Sequence, residues 1–307
     1  MIIFVTGGTG ALGTPTVALL RDCGYQVRAL ASSAGSARML ADAGAEPVRA
    51  SLFDPESLAA AVRGADAILH LATRIAPQFK AWRRSAWVEN DWIRAEGTRN
   101  LVEAALAAGV GALVYPSFAP IYADGGDQWL SAGSPIAPTD ILRSTVTAEE
   151  EVSRFGAHGG RGVVLRIAGI YGPHSASTRD VLALARKGFS AFVGPAGGYE
   201  SVVWDEDAAT ALVAAVETDG LSGVYDIADD RPLTRAEIAD LLAAAVGRPS
   251  VRRVPTALAR LLLGKRLAFF LRSQRISNQQ FRDAAGWAPE VKDAADGLLR
   301  LGALGLS

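Results

Sequence analysis

The residues most able to do chemistry begin almost at the first position, in "VTGGTGALG" (5–13). Gly8, Gly10 and Gly13 satisfy G-x-G-x-x-G, and Gly7, Gly10 and Gly13 satisfy the related T-G-x-x-G-x-x-G. A turn without side chains lets the backbone approach a pyrophosphate. A helix starting directly behind it aims free N–H groups and its dipole at that anion. The pattern carries meaning only between a strand and a helix, and here the apolar "MIIFV" precedes it and "TPTVALLRDCGY" follows. The next strand-like run ends "RALASS". A carboxylate at that tip would hold ribose hydroxyls and repel a 2′-phosphate. Ser32 stands there instead, with Arg38 nearby, which points to NADP with NAD as the alternative.

Polar groups that could act on a substrate lie further along. Ser117 and Tyr122 flank the end of "GALVYPS" (111–117), Arg143 sits in "ILRSTVTAEEEV", and Tyr171 and His174 sit in "GIYGPHS". Arg143 could clamp an acidic or carbonyl group. His70 lies within the apolar "DAILHLA" and reads as a core histidine with satisfied nitrogens. With Cys23 the sole cysteine and His70, His158 and His174 far apart, no metal site and no disulfide is expected.

The elements that must position these groups follow from the alternation of the chain. Six short apolar runs over the first two-thirds are separated by amphipathic helical stretches, the pattern of βαβ units with a parallel sheet covered on both faces. The expected fold is α/β, a doubly wound parallel sheet with a smaller C-terminal lobe. The division expected is 1–173 plus 203–227 for the dinucleotide-binding domain and 174–202 plus 228–307 for the substrate lobe. Thr234 and Glu237 have the spacing of a capping box. Over 307 residues, 31 basic and 32 acidic side chains leave a formal net charge of −1, so no overall basic field serves nucleic acid or an anionic membrane. The apolar stretch at 257–271 is too short, and too interrupted by Lys265 and Arg266, to span a bilayer. The expectation is a cytoplasmic protein acting on a small molecule, without nucleic-acid or membrane partners.

"VTGGTGALG", "AILHLAT", "EGTRNLVEAA", "LVYPSFAPIYA", "LRIAGIYGP" and "VVWDEDAATA" occur in an order that resembles the extended short-chain dehydrogenases/reductases, which include the NAD-dependent epimerases and dehydratases. The resemblance implies a Rossmann-like domain, a substrate lobe and, often, a homodimer. It carries over Gly7, Gly10, Leu12 and Gly13 for the cofactor phosphates and Leu71, Ala72 and Thr73 beside the cofactor. Leu52 joins this set, next to Ser51, which stands where the family has an adenine-contacting aspartate. It also implies a catalytic tyrosine with a lysine four residues later, assisted by a serine or threonine. No tyrosine of this chain has a lysine at that spacing. Aligning on the acidic cluster puts Leu142 and Val146 at the two positions, and a one-residue shift puts Ile141 and Thr145 there. Phe118 falls at the usual serine position, with Ser117 one residue early. Three readings follow. One is an NAD(P)-dependent oxidoreductase or epimerase-type enzyme on a small carbonyl or hydroxyl substrate, with Ser117, Tyr122, Arg143, Tyr171 and His174 as candidate substitutes. The others are a redox-neutral dehydratase, isomerase or cyclase, and a non-catalytic NAD(P)-binding sensor.

Overall fold

The computed structural model describes residues 1–75, 83–265 and 268–305. The chain forms two compact units: Met1–Ser117, Ile141–Arg166 and Ala209–Tyr225 in the first, and Phe118–Asp140, Ile167–Ala208 and Asp226–Ser307 in the second.

The central sheet is built from β1 (Ile2–Thr6), β2 (Gln26–Ala31), β3 (Glu46–Arg49), β4 (Ala67–His70), β5 (Ala112–Phe118), β6 (Arg161–Ile167) and β7 (Gly223–Ile227). Its seven parallel strands run in the order β7-β6-β5-β4-β1-β2-β3. Phe4, Ile68, Leu113 and Val164 come from neighbouring strands and are buried with Leu58, Leu101, Val152 and Phe155 of the covering helices. Burial on both faces is why these strands read as continuous apolar runs.

The covering helices are α1 (Gly13–Asp22), α2 (Ala34–Asp42), α3 (Pro55–Val62), α4 (Thr98–Ala108), α5 (Arg143–Ala157) and α6 (Asp205–Glu217). Local chemistry sets their ends. Ser33 and Ser36 close a reciprocal capping box on α2, and Asp54 caps α3 ahead of Pro55. Gly109 ends α4 in the left-handed region at φ 66°, a conformation without steric penalty only for glycine.

The second unit contains three two-stranded pairings. Gly169–Tyr171 pairs with Val202–Trp204, Tyr199–Glu200 with Leu233–Thr234, and Trp129–Leu130 with Arg275–Ile276. Trp204, Leu182, Ile238, Leu242, Val291 and Leu301 form its main core. The expected Thr234–Glu237 capping box starts the helix Arg235–Ala245. This unit also takes in 118–140, 167–173, 203–208 and 226–227, which the division drawn from sequence placed with the sheet domain. The reason is packing: Ala119 and Tyr122 are buried with Leu130, Ala168, Ala228 and Ile276, and Ile170 and Tyr171 pair with Val203 and Trp204.

Asp205 and Asp207 begin α6, where carboxylates suit the helix dipole. Asp207 also accepts the backbone N–H groups of Glu290 and Val291 at 2.8 and 2.9 Å while only 4% exposed. Asp207→Ala would strand both donors. The expected loss is about 3 kcal/mol of unfolding free energy, read from urea titration monitored by circular dichroism.

Candidate functional site

Strand β1 is flanked by β2 and β4, so the chain leaves β1 in one direction across the sheet and β4 in the other. In open α/β sheets the ligand crevice lies outside the carboxyl ends of the strands at this switch point. Here the loops after β1 and β4 are in contact. A Cβ on Gly7 (φ 72°) would lie 2.6 Å from the Ala72 nitrogen and the Leu71 carbonyl carbon, and one on Gly13 would lie 2.2 Å from the Gly7 oxygen. Gly7 and Gly13 are therefore demanded by the protein's own packing. Gly10 is different: it is exposed, and a Cβ there would meet only the Gly7 oxygen, at 3.3 Å. Its side is open to a ligand. The helix behind it, α1, starts at Leu12 without a side-chain cap and without an acidic residue in its first turn. An open glycine edge under an uncapped helix start fits the pyrophosphate of a dinucleotide.

Beneath the turn lies a buried polar joint. His70 Nδ1 is 2.7 Å from Thr6 Oγ1, and His70 Nε2 is 3.0 Å from Thr98 Oγ1. Thr6 Oγ1 also accepts the Ala72 N–H at 3.3 Å, and Thr98 Oγ1 donates to the Ile93 carbonyl at 3.5 Å. The network closes with Thr6 donating to Nδ1 and a protonated Nε2 donating to Thr98. His70 is fully buried, and burial, reinforced by the Arg94 charge, pushes its imidazole down to about 3.

The other cofactor-side residues fall around this turn. Ala31 ends β2 buried, and Ser32 follows it exposed; it is Ser33, not Ser32, whose hydroxyl caps α2. Arg38 is exposed on α2, Leu71 is buried and Thr73 is exposed. Leu52 belongs to the core cluster, and its carbonyl accepts from Asn100 at 2.9 Å.

Of the five groups proposed to act on substrate, Ser117 and Arg143 belong to the first unit and Tyr122, Tyr171 and His174 to the second. Ser117 is 5% exposed and its hydroxyl donates to Glu149 of α5. Glu149 is gripped by Arg166 of β6 through Nε at 3.1 Å and Nη2 at 2.7 Å. Tyr122 is fully buried and donates to Asp226 at 2.7 Å. Tyr171 donates to the Asp293 carbonyl at 3.1 Å, rests edge-on against Trp204, and its hydroxyl pKa is driven up by burial and four nearby aspartates. Three hydroxyls are thus committed to internal partners. Arg143 is exposed at the start of α5, and the exposed His174 ring stands 3.6 Å from Glu206. Asp205 accepts the His174 N–H at 2.8 Å. The aromatic ring of Trp82 would suit the lining of a substrate pocket, and this residue lies outside the described residues.

The Ser117–Glu149–Arg166 chain was not anticipated; the one sequence signal was the acidic run "AEEEV", in which Glu149 is the member facing inward. The second unit also holds a cavity of about 420 Å³ lined by Trp129, Asp229, Asp230, Asn278 and Arg282 among others. Burial, with the neighbouring Asp293, pushes the Asp229 carboxyl up to about 9 although the Arg231 N–H lies towards it. No residue proposed from sequence lines this cavity.

Sheet order, switch point and glycine turn define a Rossmann-like α/β protein with a dinucleotide-binding turn. Residues 3–228 match the model of the NAD dependent epimerase/dehydratase family, and the chain belongs to that family. A Streptomyces relative, 3-diazoavenalumate denitrifying reductase, is 34% identical over 98% of this chain and 100% of its own. A 2-alkyl-3-oxoalkanoate reductase of Stenotrophomonas maltophilia is 29% identical over 82% of this chain and 77% of its own. The fold matches the solved human epimerase family protein SDR39U1 with NADPH at TM-score 0.80 and 22% identity, covering 99% of both chains.

Two predictions follow from this geometry. Gly10→Val should fold with a melting temperature close to the parent's, its Cβ pressing only on the Gly7 oxygen, and yet lose at least roughly tenfold in NADPH or NADH affinity by calorimetry, because the rest of its side chain enters ligand space. Gly13→Ala should instead destabilise the fold. The second concerns pH. An unfolded histidine takes up a proton below about 6.5, and the folded His70 does not until about pH 3. Its stabilising effect is complete above about pH 6.5 and declines as pH falls towards about 3, by at most about 1.4 kcal/mol per pH unit. Thermal melts of His70→Asn across that window should show a lower melting temperature and a shallower acid slope than the parent.

Proposed function

We propose that this protein is an NAD(P)H-dependent reductase of a small electrophile whose reduction needs no proton from a tyrosine–lysine relay, with NADPH preferred over NADH. The observation that carries this reading is an intact dinucleotide turn in a chain whose α5 lacks the relay. On α5 and its approach, Ile141, Leu142 and Thr145 are at most 3% exposed, and Val146 is aliphatic, so neither alignment of the helix supplies an ionisable pair. Ser117 has its hydroxyl on Glu149, and Phe118 turns its ring edge-on to Phe269 at 6.1 Å. Acid–base assistance of the missing kind contributes on the order of 10²–10⁴-fold, so a carbonyl acceptor would be reduced poorly.

A reduced nicotinamide, when bound, supplies a hydride. The acceptor that suits this chain is one that completes its reaction without taking a proton from the protein. An aryl diazonium is such an acceptor: a hydride gained at its terminal nitrogen gives a neutral diazene, which loses dinitrogen and leaves a C–H bond. Charge and atoms balance with no side-chain acid. The name of the Streptomyces reductase, which places its action on a diazo compound with loss of nitrogen, supports extending this class to the present chain. The chain's part is to bind and orient, and exposed Arg143 offers a charge for an anionic end of the substrate. The reading places this activity in the cytoplasm.

Absorbance at 340 nm with NADPH and NADH against aryl diazonium and ketone panels tests this. Diazonium-dependent cofactor oxidation, with dinitrogen and the C–H product formed in equal amounts, is expected. Silence with the diazonium panel, or better turnover of ketones, would overturn it, and product formation without cofactor oxidation would favour a redox-neutral enzyme. Tyr122→Phe should leave turnover nearly unchanged while lowering stability by about 1 kcal/mol, because its hydroxyl serves Asp226.

A further inference from the structure

We propose that the helix Thr256–Leu263 of the second unit, with the basic residues around it, is a docking surface for an anionic lipid bilayer. The near-neutral charge of the whole chain conceals a strong local imbalance. Between Asp240 and Asp283 there is no acidic residue and there are nine basic ones: Arg248, Arg252, Arg253, Arg260, Lys265, Arg266, Arg272, Arg275 and Arg282. The remaining 22 basic and 32 acidic residues give −10, so this stretch alone brings the chain to −1.

The structure separates these charges by role. Arg272 donates to the carbonyls of Tyr122 and Ala137, Arg275 lies over the rings of Trp129 and Tyr199, and Arg282 pairs with Asp230. Arg252, Arg260 and Lys265 are exposed. On the helix, Ala259 is buried at 2%, while Leu258, Leu261 and Leu262 are 46%, 79% and 68% exposed. Positions 258, 261 and 262 follow i, i+3, i+4 spacing, so these leucines form one stripe turned away from the core. Phe270, on the short Ala268–Leu271 turn that packs on this helix, is 47% exposed and adds to the apolar surface.

An apolar stripe fringed by Arg and Lys is the arrangement with which interfacial helices enter the headgroup region, leucines towards the acyl chains and cations towards the phosphates. The charge argues against a second copy as occupant. An isologous dimer through this face would set the same cationic segment against itself. No helix among the described residues is long and apolar enough to cross a membrane, so the contact is peripheral.

Flotation of the full chain with phosphatidylcholine vesicles, with and without phosphatidylglycerol, tests the proposal. Binding is expected only with phosphatidylglycerol, weakening as salt is raised. Two double variants, Leu261→Asp with Leu262→Asp and Arg260→Glu with Lys265→Glu, should each reduce it at least roughly tenfold while circular dichroism and NADPH affinity stay as in the parent. Absence of binding to phosphatidylglycerol vesicles, or equal binding by the variants, would overturn it. So would light scattering that shows a lipid-free dimer dissociated by the leucine variant, which would assign the face to a second copy.

Discussion

Everything at the candidate site depends on how closely β1 and β4 are joined at their carboxyl ends. Gly7 has no room for a Cβ because the Leu71–Ala72 backbone occupies that space. The same junction is bonded from below by Thr6, His70 and Thr98. An imidazole can serve there only while neutral, since a buried cation between two hydroxyls would have no counter-charge. The cost of keeping it neutral is a stability that falls with acid. In return the two loops that frame the ligand crevice have one relative position, and the glycine edge is presented as a rigid surface.

The polar groups near α5 hold the helix through charges that lie outside positions 141–146. Glu149 and Arg166 form a bidentate pair at 8% and 7% side-chain exposure, and Ser117 donates to the same carboxylate. Removing one member would leave an uncompensated buried charge, which is more destabilising than never having built the pair. The seam therefore holds α5 against β5 and β6 whatever stands at positions 141–146. Proton transfer was not a requirement for the helix to pack there, so aliphatic residues at those positions are compatible with the fold.

The second unit relies on the same device of buried charges with committed partners. Asp205 and Asp207 accept backbone N–H groups, and the fully buried Arg235 meets Glu200 at 2.6 Å. These charged residues are ties between loops and helices. The groups left facing water include the leucines of Thr256–Leu263 and the cations beside them, a local excess of charge that the whole-chain balance averages out.

Much of the fold was legible because its signals are local. Strands buried on both faces must be apolar along their length, Thr234 and Glu237 carry a capping box in their own side chains, and a glycine-rich turn between strand and helix has few other uses. His70 was recognisable as a core residue because its neighbours in the chain are apolar. What sequence could not decide is where a hydroxyl points. Ser117, Tyr122 and Tyr171 have residue types suited to catalysis, and only their partners Glu149, Asp226 and Asp293, 32, 104 and 122 positions away along the chain, show that each is already engaged. The boundary between the units was equally non-local, since Ala119 and Tyr122 join the second unit by packing against Ile276 and Ala228. By itself the sequence determined the alternation of elements, the cofactor turn and the absence of a tyrosine–lysine pair, all properties of adjacent residues. The tertiary structure alone decided which polar groups remain available, because a hydrogen bond or an ion pair is made between surfaces that meet only once the chain has folded.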